Sequence, residues 1–330
     1  MQAVVLERHG DPDVLRLSDV ADPQAPDGWI VVELRAAAVN WHDCLLRRGQ
    51  YPQFPLPRIP GSDGAGVRRD TGEPVMILPS LWWGDDERAP GPGWEILGDR
   101  TDGTYAELVA VPESCVRPKP AGWSFEDAAA LPLAGLTAHR ALFARGGLRS
   151  GETVLILGAG GGVAGIAIGL ARLAGARVLV TTSSPEKLDQ ARAHGTEDGV
   201  LYTDEGWPAG VRELAGTGGI DLVIDPIGST WPQALEALSP GGRLVTFGAT
   251  GGSTVQIDVR RFYFGQQTIL GTTMGSPRDF DALLRRLGTD PTWRPAVSQV
   301  LALGDVVDAH NMMQDRTHHG KIVLSVRYPR

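Results

Sequence analysis

A chain of 330 residues is long enough for two domains, each burying a core of its own. Its 42% hydrophobic and 21% charged residues suit a soluble enzyme, and a net charge of -8 argues against an electrostatic nucleic-acid surface. No basic start followed by an apolar run opens the chain, and no run of about 18 uncharged apolar residues occurs in it, so a cytoplasmic protein without membrane or nucleic-acid partners is expected.

In chain order, Ala3–Leu6, Ile30–Ala38, Pro74–Leu78 and Ala106–Val111 are short apolar or alternating runs bounded by Gly, Pro and Asp, and they read as strands. Long irregular connections separate them, including 81–104, rich in Gly, Pro, Trp and acids. A small barrel with functional loops is the expectation for this part. After Pro120 the pattern changes. Ser124–Leu131 and Gly135–Phe143 read as helices, and a regular alternation follows. Strands are predicted at Thr153–Leu157, Arg177–Thr182, Gly199–Tyr202, Asp221–Asp225 and Arg243–Phe247. The helices between them are Val163–Leu173, Pro185–His194, Trp207–Ala215 and Trp231–Ala237. Such alternation implies a doubly wound parallel sheet. The tail is mixed: a strand at Thr268–Leu270, helices at Asp279–Leu287 and Asp305–Gln314, and a last strand at Lys321–Val326.

The motif with the clearest chemistry follows the first strand of the alternating part. Ala159, Gly161 and Ala164 fit the A-x-G-x-x-A variant of the dinucleotide fingerprint, within the turn Ala159, Gly160, Gly161, Gly162, Val163. Such a turn must be tight, must carry no side chain beside a pyrophosphate, and must open a helix whose free N–H groups face the phosphates. A glycine-rich turn alone is a weak signal; here it lies between strand and helix in a βαβ unit. The next strand ends in Thr182, Ser183 and Ser184, where an NAD site places an acid for the ribose, and Lys187 follows one turn into the helix. Small hydroxyls beside a cation suit a 2′-phosphate, so NADP(H) is the expected cofactor.

Several segments in order and spacing then carry a likeness: Ala36-Ala-Ala-Val-Asn-Trp-His-Asp43, Pro60-Gly-Ser-Asp-Gly-Ala-Gly66, Gly103-Thr-Tyr-Ala-Glu107, Leu131-Pro-Leu-Ala-Gly-Leu-Thr-Ala138, Asp221-Leu-Val-Ile-Asp-Pro-Ile-Gly228 and Gly320-Lys-Ile-Val-Leu324. With them the chain resembles medium-chain dehydrogenase/reductases, in particular the zinc-free quinone oxidoreductase-like members, nearly end to end. The resemblance implies an α/β chain with a GroES-like β-barrel catalytic domain over 1–123, completed by 265–330, and a Rossmann domain over 124–264. It implies an active site between the domains, and a homodimer in which strands near Thr268–Thr273 extend the sheet. It also brings Tyr202 to the adenosine phosphate, and Thr137, Gly248, Ala249 and Thr250 to the nicotinamide half.

The resemblance bears on zinc as well. The positions matching the catalytic ligands of zinc-dependent relatives hold Asn40, Ser62 and Leu133, leaving Asp63 nearby. The lobe that carries a four-cysteine structural zinc in those relatives corresponds to 81–98, which contains no cysteine. Cys44 and Cys115 are the whole cysteine complement, too few for a four-thiolate site. No metal is therefore expected, although His42, Asp43 and Asp63 keep an improvised site open. Without a Lewis acid, acceptors that delocalise charge are the suited substrates: quinones, α,β-unsaturated carbonyls and other small carbonyl compounds. Asn40 matches an amide position facing the acceptor oxygen. His42 stands where zinc enzymes place a proton-relaying hydroxyl, Asp43 orients the loop, and Tyr51 lines the pocket or donates a proton. An NADP-dependent alcohol dehydrogenase or carbonyl reductase, an enoyl reductase, and a cofactor-binding homologue with little catalysis are the alternatives.

Overall fold

The computed structural model describes residues 1–51 and 54–326, which fall into two compact units. The first comprises Met1–Ala134, Ser276–Phe280 and the chain from Arg294 onward; the second comprises Gly135–Gly275 and Asp281–Trp293.

The first unit is organised by one long strand, Trp29–Val39. Its first part alternates half-buried and buried residues, as in a strand covered on one face, and its last part, residues 36–39, is buried on both faces. One edge serves two partners in turn: Leu108–Pro112 against residues 29–33, then Lys321–Ser325 against residues 36–39. The other edge pairs with Asp63–Arg68 along most of its length, with a register shift between Leu34 and Ala36. There the backbones close up, and a Cβ on Gly66 would stand 2.1 Å from the Glu33 carbonyl oxygen, so only glycine fits. Pro74–Ile77, Val116–Pro118 and Val297–Ala302 complete a seven-stranded sheet. The 81–98 lobe is pinned by aromatic side chains: Trp83 and Trp94 pack edge to face at 5.8 Å, and Trp94 Nε1 donates to Ser80 Oγ at 2.8 Å.

The registers decide which polar residues meet. Ala38 is opposite Asp63, and Val39 is opposite Ile322. Asn40, at the end of the central strand, is thereby flanked by Asp63 and Lys321. Asn40 also begins the helix Trp41–Arg47, where a capping box with Asp43 satisfies the first N–H groups. This short helix and the strands Asp63–Arg68 and Val297–Ala302 were not foreseen from sequence.

The second unit holds a six-stranded, wholly parallel sheet. Numbering its strands along the chain, from Thr153–Ile156 to Thr268–Gly271, their spatial order is 3-2-1-4-5-6. This is the dinucleotide-binding order, with its switch point between Thr153–Ile156 and Leu222–Asp225. Strands one to five and the intervening helices fall within about two residues of the sequence expectation. The core of this unit is apolar and includes Leu155, Leu179, Val211, Ile220, Val223 and Leu244. The strand Thr268–Gly271 closes this sheet and lies in the second unit. Among the described residues no helix is long and apolar enough to cross a membrane.

Candidate active site

In the second unit the first strand leads into Gly158, whose φ of +73° turns the chain sharply, and then into the helix Gly162–Leu173. No side chain caps that helix, and the N–H groups of Gly162, Val163 and Ala164 find no acceptor among the described residues. A Cβ on Gly161 would meet nothing within 4 Å, so no part of the fold demands glycine there. An open backbone, uncapped N–H groups and the dipole end together make an anion seat. The turn lies at the switch point, where a Cβ on Gly158 would come 3.9 Å from Ile227 Cδ1, just past the fourth strand. The residues present therefore fit a dinucleotide pyrophosphate.

Lys187 belongs to the same seat. Its side chain passes over the glycine turn, with Cδ 3.6 Å from the Cβ position of Gly160. Ser184 caps the helix Pro185–Ala193 by accepting from the Lys187 N–H at 3.4 Å. Tyr202, exposed, is tied to the neighbouring strand end by its N–H to the Thr182 carbonyl at 2.9 Å, beside Ser183. Glu186, which sequence reading passed over, lies in the same first turn, held below its usual carboxyl range by the Ser184 hydroxyl. Gly248 packs on Pro226, and Thr250 Oγ1 donates to the Pro226 carbonyl at 3.3 Å, so residues 248–250 close over the end of the fourth strand with Ala249 between. Thr137 is buried in the helix Pro132–His139.

In the first unit the polar residues form two linked groups. Asp63, fully buried, accepts from Leu133 N at 2.7 Å, Asn40 Nδ2 at 3.0 Å and Lys321 Nζ at 3.0 Å. Lys321 also donates to Asn40 Oδ1. Because an ammonium can only donate, this contact fixes which end of the Asn40 amide is oxygen. The Nδ2 end is then spent on Asp63 and, more weakly, on Ala38 O at 3.4 Å. In this arrangement the Asn40 amide has no donor left for an acceptor oxygen; it holds the ion pair instead. Leu133 contributes its backbone N–H, while Ser62 Oγ donates to Asp43 Oδ1 at 3.3 Å.

Asp43 joins this group to a second one. Its Oδ2 accepts from Asn40 N at 2.8 Å and from the Tyr105 hydroxyl at 2.9 Å. Burial raises its carboxyl to about 6, against the pull of those two donors. Behind it, Tyr105 lies 3.4 Å from His310 Nε2, and His310 Nδ1 lies 3.5 Å from Cys44 Sγ. Burial pushes His310 down to about 3 and Cys44 up to about 12, so this inner chain is neutral. Tyr105, His310 and Lys321 were not singled out by sequence, because their roles depend on contacts with distant parts of the chain.

His42 takes a different position. Only 8% of the residue is exposed, both ring nitrogens are enclosed, and neither makes an aligned hydrogen bond. Nδ1 lies 3.9 Å from Asp43 Oδ1, and Nε2 lies 3.0 Å from Asp99 Oδ1. The Tyr51 ring packs edge-on against the imidazole at 4.4 Å. Burial holds His42 down to about 4 and lifts Asp99 to about 7. The 3.0 Å approach of the two acts in the opposite sense on each. Sequence gave no sign of Asp99. Among the described residues no group of three or more His, Cys, Asp or Glu is arranged to hold a metal ion.

Comparison with known proteins agrees with this architecture. Residues 26–121 match the alcohol dehydrogenase GroES-like domain, and residues 162–289 match the zinc-binding dehydrogenase family. A quinone oxidoreductase of Pseudomonas aeruginosa is 31% identical, over 96% of this chain and 97% of its own length. The chain belongs to the quinone oxidoreductase-like medium-chain dehydrogenase/reductases. It is an NAD(P)-dependent oxidoreductase. Solved relatives of this oxidoreductase include a structure described as an NAD-dependent alcohol dehydrogenase, with 37% identity, TM-score 0.92, and coverage of 99% of this chain and 100% of that one. Another is the quinone oxidoreductase of Thermus thermophilus, solved also with NADPH, with 32% identity, TM-score 0.82, and coverage of 99% and 100%.

Proposed function

We propose that this oxidoreductase uses NADPH to reduce a quinone or an α,β-unsaturated carbonyl compound, and that it does so without zinc. The observation that carries the reading is the uncapped turn Ala159–Val163, with three glycines at its centre and Lys187 laid across it. Gly162, Val163 and Ala164 offer N–H groups to the pyrophosphate, and Lys187, Ser183 and Tyr202 receive the 2′-phosphate. Thr137 and residues 248–250 stand on the nicotinamide side. The bound cofactor supplies a hydride when reduced.

The donor set supports a reaction without a metal. The positions of Asn40, Ser62 and Leu133 offer an amide, a hydroxyl and a backbone N–H, and all three are engaged within the protein. Such donors are poor zinc ligands beside thiolate and imidazole. A charge-delocalising acceptor needs no Lewis acid, only position and a proton. Asn40 and Asp43 act as positioning residues, Tyr51 lines the site, and His42 takes part in proton supply. The relatives named as quinone oxidoreductases support the substrate class. The edge strand Thr268–Gly271 and the exposed Val259 and Phe264 beside it support a homodimer formed by sheet extension.

A second reading, NAD-dependent alcohol oxidation, is favoured by the relative of that description. The two separate in one assay, in which nicotinamide absorbance is followed before and after chelator treatment with quinones, enones and simple alcohols. Turnover of quinones or enones supports the proposal. Turnover of alcohols alone, lost with chelator, overturns it.

A further inference from the structure

We infer that Asp225 is a positioning residue for the dinucleotide. Without touching it, Asp225 sets the turn 226–230 and, through that turn, the loop 248–252 beside which the nicotinamide half lies. The inference rests on the dinucleotide reading above and adds to it the group that orders the second wall of the site. Three observations within the second unit carry it.

The first is place. Asp225 ends the fourth strand of the parallel sheet, opposite Thr246 of the fifth, and the fourth strand borders the switch point. In a doubly wound sheet the ligand lies outside the carboxyl ends of the strands at that point. The first strand runs into the glycine turn and the fourth into residues 226–230, so these two turns flank the site. They meet where Ile227 Cδ1 comes 3.9 Å from the Cβ position of Gly158.

The second is how the turn 226–230 is held. Asp225 is fully buried, and its carboxylate collects three donors from the residues that follow it. Oδ1 accepts from Ile227 N at 2.8 Å and from Thr230 Oγ1 at 3.0 Å. Gly228 N is shared between Oδ2 at 3.1 Å and Oδ1 at 3.3 Å. A carboxylate only accepts, so it satisfies all three at once, whereas an amide in its place would turn an NH2 group toward one of them. All three donors are neutral. Burial raises the carboxyl above its usual range against their pull, so the group is held there at a cost in desolvation.

The third is what rests on that turn. Ala249, Thr250 and Gly251 are exposed and bring no buried side chain to anchor their loop. Beyond a weak local contact from Thr246 Oγ1 to Gly248 O at 3.4 Å, the loop's hydrogen bonds among the described residues run to the turn. They are Gly251 N to Ile227 O at 2.9 Å and Thr250 Oγ1 to Pro226 O at 3.3 Å. The backbones close up as they do so. A Cβ on Gly228 would stand 2.4 Å from Gly252 O, one on Gly248 2.5 Å from Pro226 O, and one on Gly251 2.7 Å from Ile227 Cγ2. Contacts this tight pass a shift of one backbone on to the other. Ile227 joins the two ends of the argument: its N–H is held by Asp225 and its carbonyl holds Gly251.

Calorimetric titration of the full-length protein with NADPH and with adenosine 2′,5′-bisphosphate, which lacks the nicotinamide half, tests this. Asp225→Asn keeps the shape and sets an NH2 group against the Gly228 N–H. Gly251→Ala leaves Asp225 in place and presses the loop off Ile227. Each should weaken NADPH at least about tenfold, the scale of one lost charge-assisted hydrogen bond, and change the bisphosphate by less than about twofold. A merely structural role would lower the thermal midpoint without that split. Should Asp225→Asn fail to fold, Thr230→Val, which takes one donor from Oδ1, should show the same split at about threefold. Equal loss of both ligands, or NADPH affinity unchanged in any of these variants, overturns the inference. Wild-type protein that binds neither ligand refutes the dinucleotide reading itself, and the inference with it.

Discussion

Replacing Lys321 by Met tests the central polar contact of the first unit. Lys321 is 2% exposed and Asp63 is fully buried, so water screens neither. The methionine keeps the length of the side chain and removes the charge. Asp63 then keeps two donors, Leu133 N and Asn40 Nδ2, but loses the cation 3.0 Å away, and Asn40 Oδ1 loses its donor. Breaking one side of a buried pair costs roughly 3–5 kcal/mol. With a urea m-value of ~2 kcal/mol/M, the transition of this unit moves down by about 2 M. Adding Asp63→Asn to Lys321→Met should recover part of the loss, because no buried charge is then left unpaired. Urea unfolding followed by tryptophan fluorescence and by far-UV circular dichroism reads both variants. A loss below about 1 kcal/mol for Lys321→Met would refute the reasoning, since that is the size of a solvent-screened pair.

Two further outcomes follow from the geometry. Gly161→Ala should alter unfolding stability by no more than about 1 kcal/mol, the cost of a poorer helix cap, because its Cβ meets nothing within 4 Å. It should nevertheless weaken nicotinamide dinucleotide binding at least about tenfold by filling the phosphate seat; unchanged affinity in calorimetry would remove the seat from this turn. His310→Phe should flatten the acid sensitivity of stability. The folded His310 sits near 3 and the unfolded one near 6.5, so wild-type protein gains stability from this group as pH rises between those values and loses it as pH falls. A variant with the same slope of thermal midpoint against pH between 4 and 6.5 would show that His310 is not held neutral.

The alternating unit was legible in the sequence because its signals are local. A buried strand such as Thr153–Ile156 is a run of apolar residues, and the helix after it shows the 3.6-residue period. The glycine turn is likewise a contiguous motif. In the first unit the signals are not local. The strand Asp63–Arg68 carries two glycines and no apolar alternation, and it pairs with the central strand because Gly66 lets the Glu33 carbonyl close in. The helix Trp41–Arg47 is too short to show a period.

The candidate site divides the same way. Asn40, His42 and Asp43 stand out because they share a short segment matching a known family. Tyr105 and Lys321 also lie in matching segments, but their roles, like those of His310 and Asp99, appear only in what they touch: Asp43, Asp63, Cys44 and His42. The same contacts change what Asn40 does. Its amide looks like a substrate donor in sequence, and in the fold it is enclosed by Lys321 and Asp63.

The nucleotide seat is tested most directly by a fluorescence titration of metal-free protein with NADPH and with NADH. Lys187 beside Gly160, with Ser183 and Tyr202 at hand and no acid at the strand end, predicts NADPH binding at least about tenfold tighter than NADH, a difference of about 1.4 kcal/mol. Equal affinity would contradict the assignment of the 2′-phosphate to Lys187, and binding of neither nucleotide would contradict the seat itself.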